Sequence, residues 1–158
     1  MNLTYARETV AQAKPGVMLL VQEHWDEVGS DKTIRKLDPD YESFAALERQ
    51  GQLHILTVRD SGVMVGYAVS VIHQQLHARG AKSAMVDAVF LTRSARQGRV
   101  GISFLKYVDA ALVAFGANFI YWHIKPERDF SPVLQRMVSP RYQFIESVYG
   151  RSTHKDAA

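Results

Sequence analysis

Apolar residues along the chain recur with two periods, near two and near 3.6, and the switches between them lay out the elements. Residues 3–7 alternate and predict a short first strand. From Pro15 onward, Val17, Leu20, Val21, His24 and Val28 recur mostly every three or four residues. They trace one face of a helix, with proline at its tolerated first position and Gly29-Ser30 as its stop. Leu37-Asp38-Pro39-Asp40 marks a boundary. Asp38 is placed to cap a second helix with Pro39 at its first position, and Tyr41, Phe44, Ala45 and Leu47 share one side of it before Gly51. Residues 53–59 and 63–73 are rich in β-branched side chains, and Asp60-Ser61-Gly62 between them is turn chemistry, so the two form a hairpin. A loop over 74–82 leads to a third strand over 83–92. Ile102, Leu105, Val108, Leu112 and Phe115 then trace a helix that Gly116 stops. Residues 118–124 form a further strand, parallel to the one before the helix by the usual crossover rule. Residues 131–137 are short and amphipathic, 142–149 alternate as a terminal strand, and a polar tail runs from Arg151. Two helices ahead of a meander exclude a βαβ repeat and predict an α/β chain with a mixed, mostly antiparallel sheet.

Composition narrows the class. With 158 residues, 47% hydrophobic and 22% charged, the chain suits one soluble domain over 1–150 followed by the tail 151–158. The absence of cysteine excludes disulfides, thiolate metal sites and a cysteine nucleophile, and fits the cytoplasm. No apolar run is long enough for a bilayer, and no signal-peptide pattern opens the sequence. A net charge of +3 suits an anionic ligand and is too small to indicate nucleic acid. The histidines show no metal spacing: His73 and His77 are four apart, but on a strand end and a loop. No metal, membrane or nucleic-acid partner is expected.

The chemistry concentrates between the third strand and the helix that follows it. Arg93-Ser-Ala-Arg96-Gln97-Gly98-Arg99-Val100-Gly101 is basic and glycine-punctuated. A helix start exposes unpaired N–H groups and the positive end of the helix dipole, so a phosphate or pyrophosphate suits this place. The loop is neither a P-loop nor a dinucleotide fingerprint. An ordinary basic turn ahead of a core helix remains open on these residues alone. Asp87 stands in the otherwise apolar run Met85-Val-Asp-Ala-Val89, where a carboxylate needs a reason. Either it removes a proton or it pairs with an arginine across the sheet. His24-Trp25-Asp26-Glu27 either lines a pocket or closes a helix in the ordinary way.

Arg96-Gln97-Gly98-Arg99-Val100-Gly101 resembles the Arg/Gln-x-x-Gly-x-Gly/Ala signature of the GNAT superfamily of N-acetyltransferases, departing from it at Arg99, where the signature has glycine. The element order resembles that superfamily over nearly the whole chain. His24-Trp25-x-Glu27, Leu37-Asp-Pro-Asp40, Val65-Gly-Tyr67, Leu76-His77, Asp87 with Phe90 and Arg96, His123-x-Lys125 and Phe130-Ser-Pro-x-Leu134-x-Arg136 resemble the small GNAT proteins of phages and prophages. The resemblance implies two N-terminal helices, a coenzyme A-binding helix after the fourth strand and a short C-terminal helix. It implies acetyl-CoA as co-substrate, held by Phe90, Leu91, Thr92, Arg96, Gln97, Gly98, Arg99, Val100, Gly101 and Ile102. Asp129 or Ser131 would hold the pantetheine arm. Asp87 would be the base, backbone amides over 90–92 would polarise the thioester carbonyl, and His24, Trp25, Glu27 and His77 would line the pocket of a small-molecule or peptide amine. Leu134 stands where many relatives place an acid tyrosine, with Tyr142 and Tyr149 farther on. A homodimer is compatible with the pattern. The alternative is a GNAT-fold protein that holds CoA or a partner with little or no turnover.

Overall fold

The structure, a computed structural model, describes residues 2–29, 32 and 35–149. The expected Ser30 stop and the tail 151–158 lie outside the described residues. The elements in order are β1 (Leu3–Glu8), α1 (Val10–Val28), α2 (Tyr41–Arg49), β2 (Leu53–Asp60), β3 (Val63–Gln74), β4 (Lys82–Leu91), a 3-10 turn (Arg93–Arg96), α3 (Val100–Ala114), β5 (Phe119–Trp122), a second 3-10 turn (Pro126–Arg128) and α4 (Ser131–Val133), which continues as a π-helical turn (Leu134–Val138). The sheet order is β1-β2-β3-β4-β5, antiparallel except for the parallel pair β4–β5.

Local chemistry moves two helix starts from where periodicity placed them. Thr9 caps α1 through a reciprocal pair: its Oγ1 accepts from Gln12 N at 3.2 Å, and its N donates to Gln12 Oε1 at 2.9 Å. The helix therefore starts before Pro15, which lies inside it and leaves one carbonyl without its usual donor. Val10 N also donates to Glu48 Oε1 of α2 at 2.9 Å, joining the two helices. The second helix is capped by Asp40, whose Oδ1 accepts from Ser43 N at 3.0 Å, and not by Asp38 with Pro39. The expected terminal strand is absent: residues 139–149 carry no regular element and residues 143–149 are exposed.

The sheet is the middle of three layers. Leu53, Ile55, Tyr67 and Phe90 pack with Val10 and Ala13 on the α1–α2 side. Leu56, Val58, Ala68 and Val86 pack with Phe104, Val108 and Leu112 of α3 on the other. β2 and β3 are thus buried on both faces and read as continuous apolar runs.

One irregularity positions the site. Ser70 pairs with Val86 and Val69 with Ala88, so Asp87 is the extra residue of a β-bulge. A one-residue insertion inverts the side-chain parity of the strand. Ala84 and Val86 before it face the α3 layer, whereas Phe90 after it faces α1. The β4–β5 ladder also stops there. Its last pair is Val86 with Trp122, followed by His123 N to Val86 O at 3.4 Å. From Asp87 to Leu91, β4 has β3 on one side and no strand on the other.

Gly66 of β3 lies opposite Leu91 and lets the two strands close around this end of β4. A Cβ on Gly66 would stand 2.4 Å from Leu91 Cδ2 and 2.6 Å from the Phe90 carbonyl. Gly66→Ala is therefore expected to destabilise the fold by about 1–3 kcal/mol, the usual range for overpacking. Urea unfolding measures it, and an unchanged midpoint contradicts the close approach.

Candidate active site

The open edge of β4 has a definite backbone chemistry. Thr92 N donates to Val65 O at 2.9 Å, across to β3. Residues of a strand alternate the side to which they turn their N–H and C=O groups, so Val89 and Leu91 face away from β3 into the gap. The Leu91 carbonyl agrees, accepting from Arg96 Nε at 2.8 Å. Of the amides expected over 90–92, Thr92 is thus committed to the sheet, and Leu91, with Val89 upstream, is the one turned to the cleft.

Asp87 is exposed, which corrects the expectation of a buried carboxylate. The bulge explains it: the residue with no partner across β3 is the one the strand turns out. The apolar neighbours that suggested burial belong to regular positions on either side of it.

On the α1 side of the gap an aromatic cluster forms. His24 Nδ1 and Tyr67 Oη are 2.8 Å apart. The His24 ring stacks on Phe90 with centroids 5.0 Å apart, and Arg96 stands 5.4 Å over the same Phe90 ring. Burial holds His24 well below the ordinary imidazole range, at about 4, helped by Lys125 and Arg96 and opposed by Glu27 and Asp87. His24 is therefore neutral at neutral pH. Burial likewise raises Tyr67, so its hydroxyl keeps its proton.

Glu27 joins α1 to the basic turn. Its Oε2 receives Arg96 Nη2 at 2.6 Å, and its Oε1 lies 3.4 Å from Arg93 Nε. The Glu27 side chain is only 8% exposed. Burial works against its charge, and the two arginines outweigh burial and hold the carboxyl below its ordinary value. Arg96 thus turns inward, to Glu27, Leu91 O and Phe90, in place of the outward phosphate-facing role expected of it. Glu27 is a partner of the loop and also lines the cavity beside it. Lys125 Nζ donates to the Val28 carbonyl beside it. Between these groups and the Pro126–Arg128 turn lies a cavity of about 290 Å³.

The loop itself ends as the sequence suggested. Gly98 has φ 65°, a left-handed conformation that suits glycine and turns the chain into α3. Arg99 is the N-cap and its side chain caps nothing. Ser103 N donates to Arg99 O at 2.9 Å, so the intrahelical ladder begins there and leaves the N–H groups of Val100, Gly101 and Ile102 ahead of it. A Cβ on Gly101 would meet only Leu91 Cδ1, at 3.7 Å. The protein's own atoms therefore leave room for a side chain at Gly101.

Just ahead of α4, the Ser131 hydroxyl and then its backbone N–H hold the exposed Asp129 carboxyl low, the N–H donating to Oδ1 at 2.8 Å. Leu134 is buried. Tyr142 does not take the place of an acid: its hydroxyl donates to Asp109 Oδ1 and accepts from Trp122 Nε1 at 3.0 Å, and burial followed by the Asp109 bond raises its pKa. Tyr149 is 93% exposed.

Two expected pocket residues lie elsewhere. The Trp25 ring covers Gly29 at the end of α1. His77 is exposed in the β3–β4 connection, at the other end of β4 from Leu91, about 30 Å away by strand rise. Tyr67 and Lys125 are part of the site and were not singled out from sequence as site residues. Val65-Gly-Tyr67 offered the signal for Tyr67: a phenol in a two-faced apolar strand needs a polar partner. A second cavity of about 290 Å³ at the far end of the sheet, lined in part by His54, Lys82 and Phe115, contains none of the expected site residues. Among the described residues no group of three His, Asp or Glu side chains could hold a metal, and no helix is long and apolar enough to cross a membrane.

No protein-family model matches the chain, and no curated protein matches it. Solved structures do. An aminoglycoside acetyltransferase from an uncultured soil metagenomic sample, in complex with sisomicin, matches with a TM-score of 0.70 at 14% identity, over 95% of this chain and 97% of that one. A ribosomal-protein-alanine N-acetyltransferase from Brucella melitensis matches with a TM-score of 0.67 at 11% identity, over 95% and 99%. Glucosamine-6-phosphate N-acetyltransferase from Arabidopsis thaliana matches with a TM-score of 0.66 at 11% identity, over 94% and 99%. The chain is similar to these in architecture and has the GNAT acetyltransferase fold. Their names span an aminoglycoside, a protein alanine and an amino-sugar phosphate, so the fold by itself selects no acceptor.

The His24 environment predicts a pH dependence. Its folded pKa is about 4 against an ordinary 6.5, so the unfolded chain takes up this proton first as pH falls. Its contribution is fully present above pH 6.5 and is lost progressively toward pH 4. In His24→Gln, unfolding free energy measured across this range should fall less steeply with acid than in the wild type. An equal slope would remove His24 from the acid response.

Proposed function

We propose that the protein is an acyl-CoA-dependent N-acetyltransferase that moves the acetyl group of acetyl-CoA to a primary amine by direct attack. The observation that carries this is the alignment of three features along one line: the exposed Asp87 bulge, the strandless edge of β4 beyond it, and the uncapped start of α3. The pyrophosphate takes the amides of Val100, Gly101 and Ile102, with Gln97, Gly98 and Arg99 completing the turn. The pantetheine arm runs along Phe90 and Leu91, with Thr92 shaping the turn and Asp129 and Ser131 on the opposite wall. An amide turned into the gap, Val89 or Leu91, donates to the thioester oxygen as charge develops on it.

The amine nitrogen forms a bond to the thioester carbon, the carbon–sulfur bond breaks, and the sulfur leaves with the electron pair. The proton shed by the amine goes to Asp87, directly or through a water that Asp87 orders. His24, neutral and hydrogen-bonded to Tyr67, lines the acceptor side with Phe90. Glu27 holds the loop through Arg96. The acceptor is a small-molecule or peptide amine in the cytoplasm, and the motifs resemble those of the small phage- and prophage-encoded members of the superfamily. A CoA-binding protein without turnover is the alternative. It is favoured by the burial of Leu134, where many relatives place an acid tyrosine, and by the bonds that hold Tyr142 to Asp109 and Trp122.

Two variants test the two halves. A Cβ at Gly101 meets only Leu91 Cδ1, at 3.7 Å, so Gly101→Val should fold with stability little changed. It should lose at least tenfold in acetyl-CoA affinity, read by calorimetry, because the side chain occupies the phosphate's place. Unchanged affinity would put the phosphates elsewhere. Asp87→Asn alters an exposed residue, so stability should move by less than about 0.5 kcal/mol. Acetyl-CoA binding should persist while thiol release with a responsive amine falls by about 10²–10⁴-fold. Full turnover in Asp87→Asn removes it from proton transfer. Acetyl-CoA binding with no thiol release from any amine in a broad panel supports the non-catalytic alternative.

A further inference from the structure

The far end of the sheet holds a cavity that the proposed reaction does not use. His54, Ile72 and Lys82 share the α3 face there. Ile72 packs in the α3 layer, His54 stacks on Phe115 just past the end of α3 with ring centroids 4.4 Å apart, and Lys82 stands two residues before Ala84 of the same layer. With Gln50, Gln52 and Gln74 they line a volume of about 290 Å³.

The lining is polar and of one sign. It carries Lys82, the imidazoles of His54 and His73 and three glutamine amides, and it includes no carboxylate. Arg7 adds a second cation, 5.0 Å over the Phe115 ring. Among the described residues neither Lys82 nor Arg7 is in a salt bridge. The helices α2 and α3 both end here, and a helix end carries about half a negative charge. Two such ends offset roughly one of the two cations, and the cavity stays positive on balance.

His54 points to a bound partner independently of charge. It is 5% exposed, and its buried Nδ1 has no hydrogen-bond partner among the described residues. Buried polar atoms are rarely left so. Burial first, and then Arg7, hold its pKa below the ordinary imidazole value. The ring is therefore neutral at neutral pH, with hydrogen-bonding capacity to give.

We infer that this cavity is a second ligand site, for a small carboxylate or phosphate with a hydroxylated body: Lys82 and the glutamine amides hold the oxyanion, and the body hydrogen-bonds to His54. The volume lies at the lower edge of small-molecule pockets, so the ligand has few carbons. Lys82 opens β4 and Leu91 closes it, about 30 Å apart by strand rise, so a ligand here does not compete with one at the start of α3. The inference does not rest on the proposed acetyl transfer.

Calorimetric titration of the full chain with citrate and, separately, with glycerol 1-phosphate tests it, at constant ionic strength. At least one should bind, and the two arms tell a carboxylate ligand from a phosphate one. Lys82→Gln removes the charge, and His54→Phe keeps a ring against Phe115 while removing Nδ1. Lys82→Gln should weaken binding about tenfold or more and His54→Phe about fivefold, the usual worth of a charged and of a neutral hydrogen bond. Amide shifts on binding should concentrate at Gln52, Gln74 and Phe115. Should one variant fail to fold by circular dichroism, the other and the shifts still decide. Failure of both anions to bind at millimolar concentration overturns the site. So does an affinity that either folded variant leaves unchanged, equal binding of uncharged glycerol, or shifts centred on Val100–Ile102, which would put the anion at the start of α3 instead.

Discussion

A single inserted residue in β4 determines most of what this protein can do. Without Asp87 as a bulge, Phe90 would continue the parity of Ala84 and Val86 and lie against α3. His24 would then lose the ring it stacks on, and β4 would run on beside β5 with its polar groups paired. With the bulge, the strand keeps its partner β3, loses β5, and presents backbone donors in the middle of a sheet. Interior strands rarely leave such groups unpaired, because buried backbone polar atoms are costly without partners. The gap thus leaves the Val89 and Leu91 amides without a neighbouring strand, and the same irregularity exposes the Asp87 carboxylate at its upstream end.

Electrostatics then fixes the downstream end. The loop between β4 and α3 is basic, and a basic loop beside a helix start would repel itself. Glu27 answers two of its arginines from α1, and the Arg96 bond to the Leu91 carbonyl ties the turn to the strand. The loop is held by the protein's own charges, and the first amides of α3 remain ahead of the intrahelical ladder. A buried carboxylate of this kind is expensive to leave alone, so Glu27 and Arg96 depend on each other for position more than for net stability. His24, kept neutral by burial, adds a polar but uncharged surface beside Phe90.

The short C-terminal region shows the same economy. Tyr142, which could have offered a hydroxyl to the cleft, is spent on joining β5 to α3 through Trp122 and Asp109. That pair of bonds fixes Tyr142 beside β5, ahead of the exposed residues 143–149.

Element type and order as far as α4 were legible because they follow from side-chain period and turn chemistry, which are local; the terminal strand expected over 142–149 is not formed in the described chain. The hairpin at Asp60-Ser61-Gly62, the helix after Gly98 and the parallel β5 all followed from neighbours in sequence. The helix start near Gly101 was legible for the same reason, since it needs no distant partner. Helix starts shifted where a side chain three residues away decided the cap, as Gln12 does for Thr9 and Ser43 for Asp40. What the sequence could not contain was which residue of β4 lacks a partner on β3. A run that is apolar on both faces reads the same with or without a bulge, so Asp87 looked buried. Nor could it place Arg96 against Glu27, 69 positions away in the chain, or His24 against Tyr67, 43 positions away. Burial and charge pairing depend on contacts between distant segments, and those contacts exist only once the sheet has chosen its register.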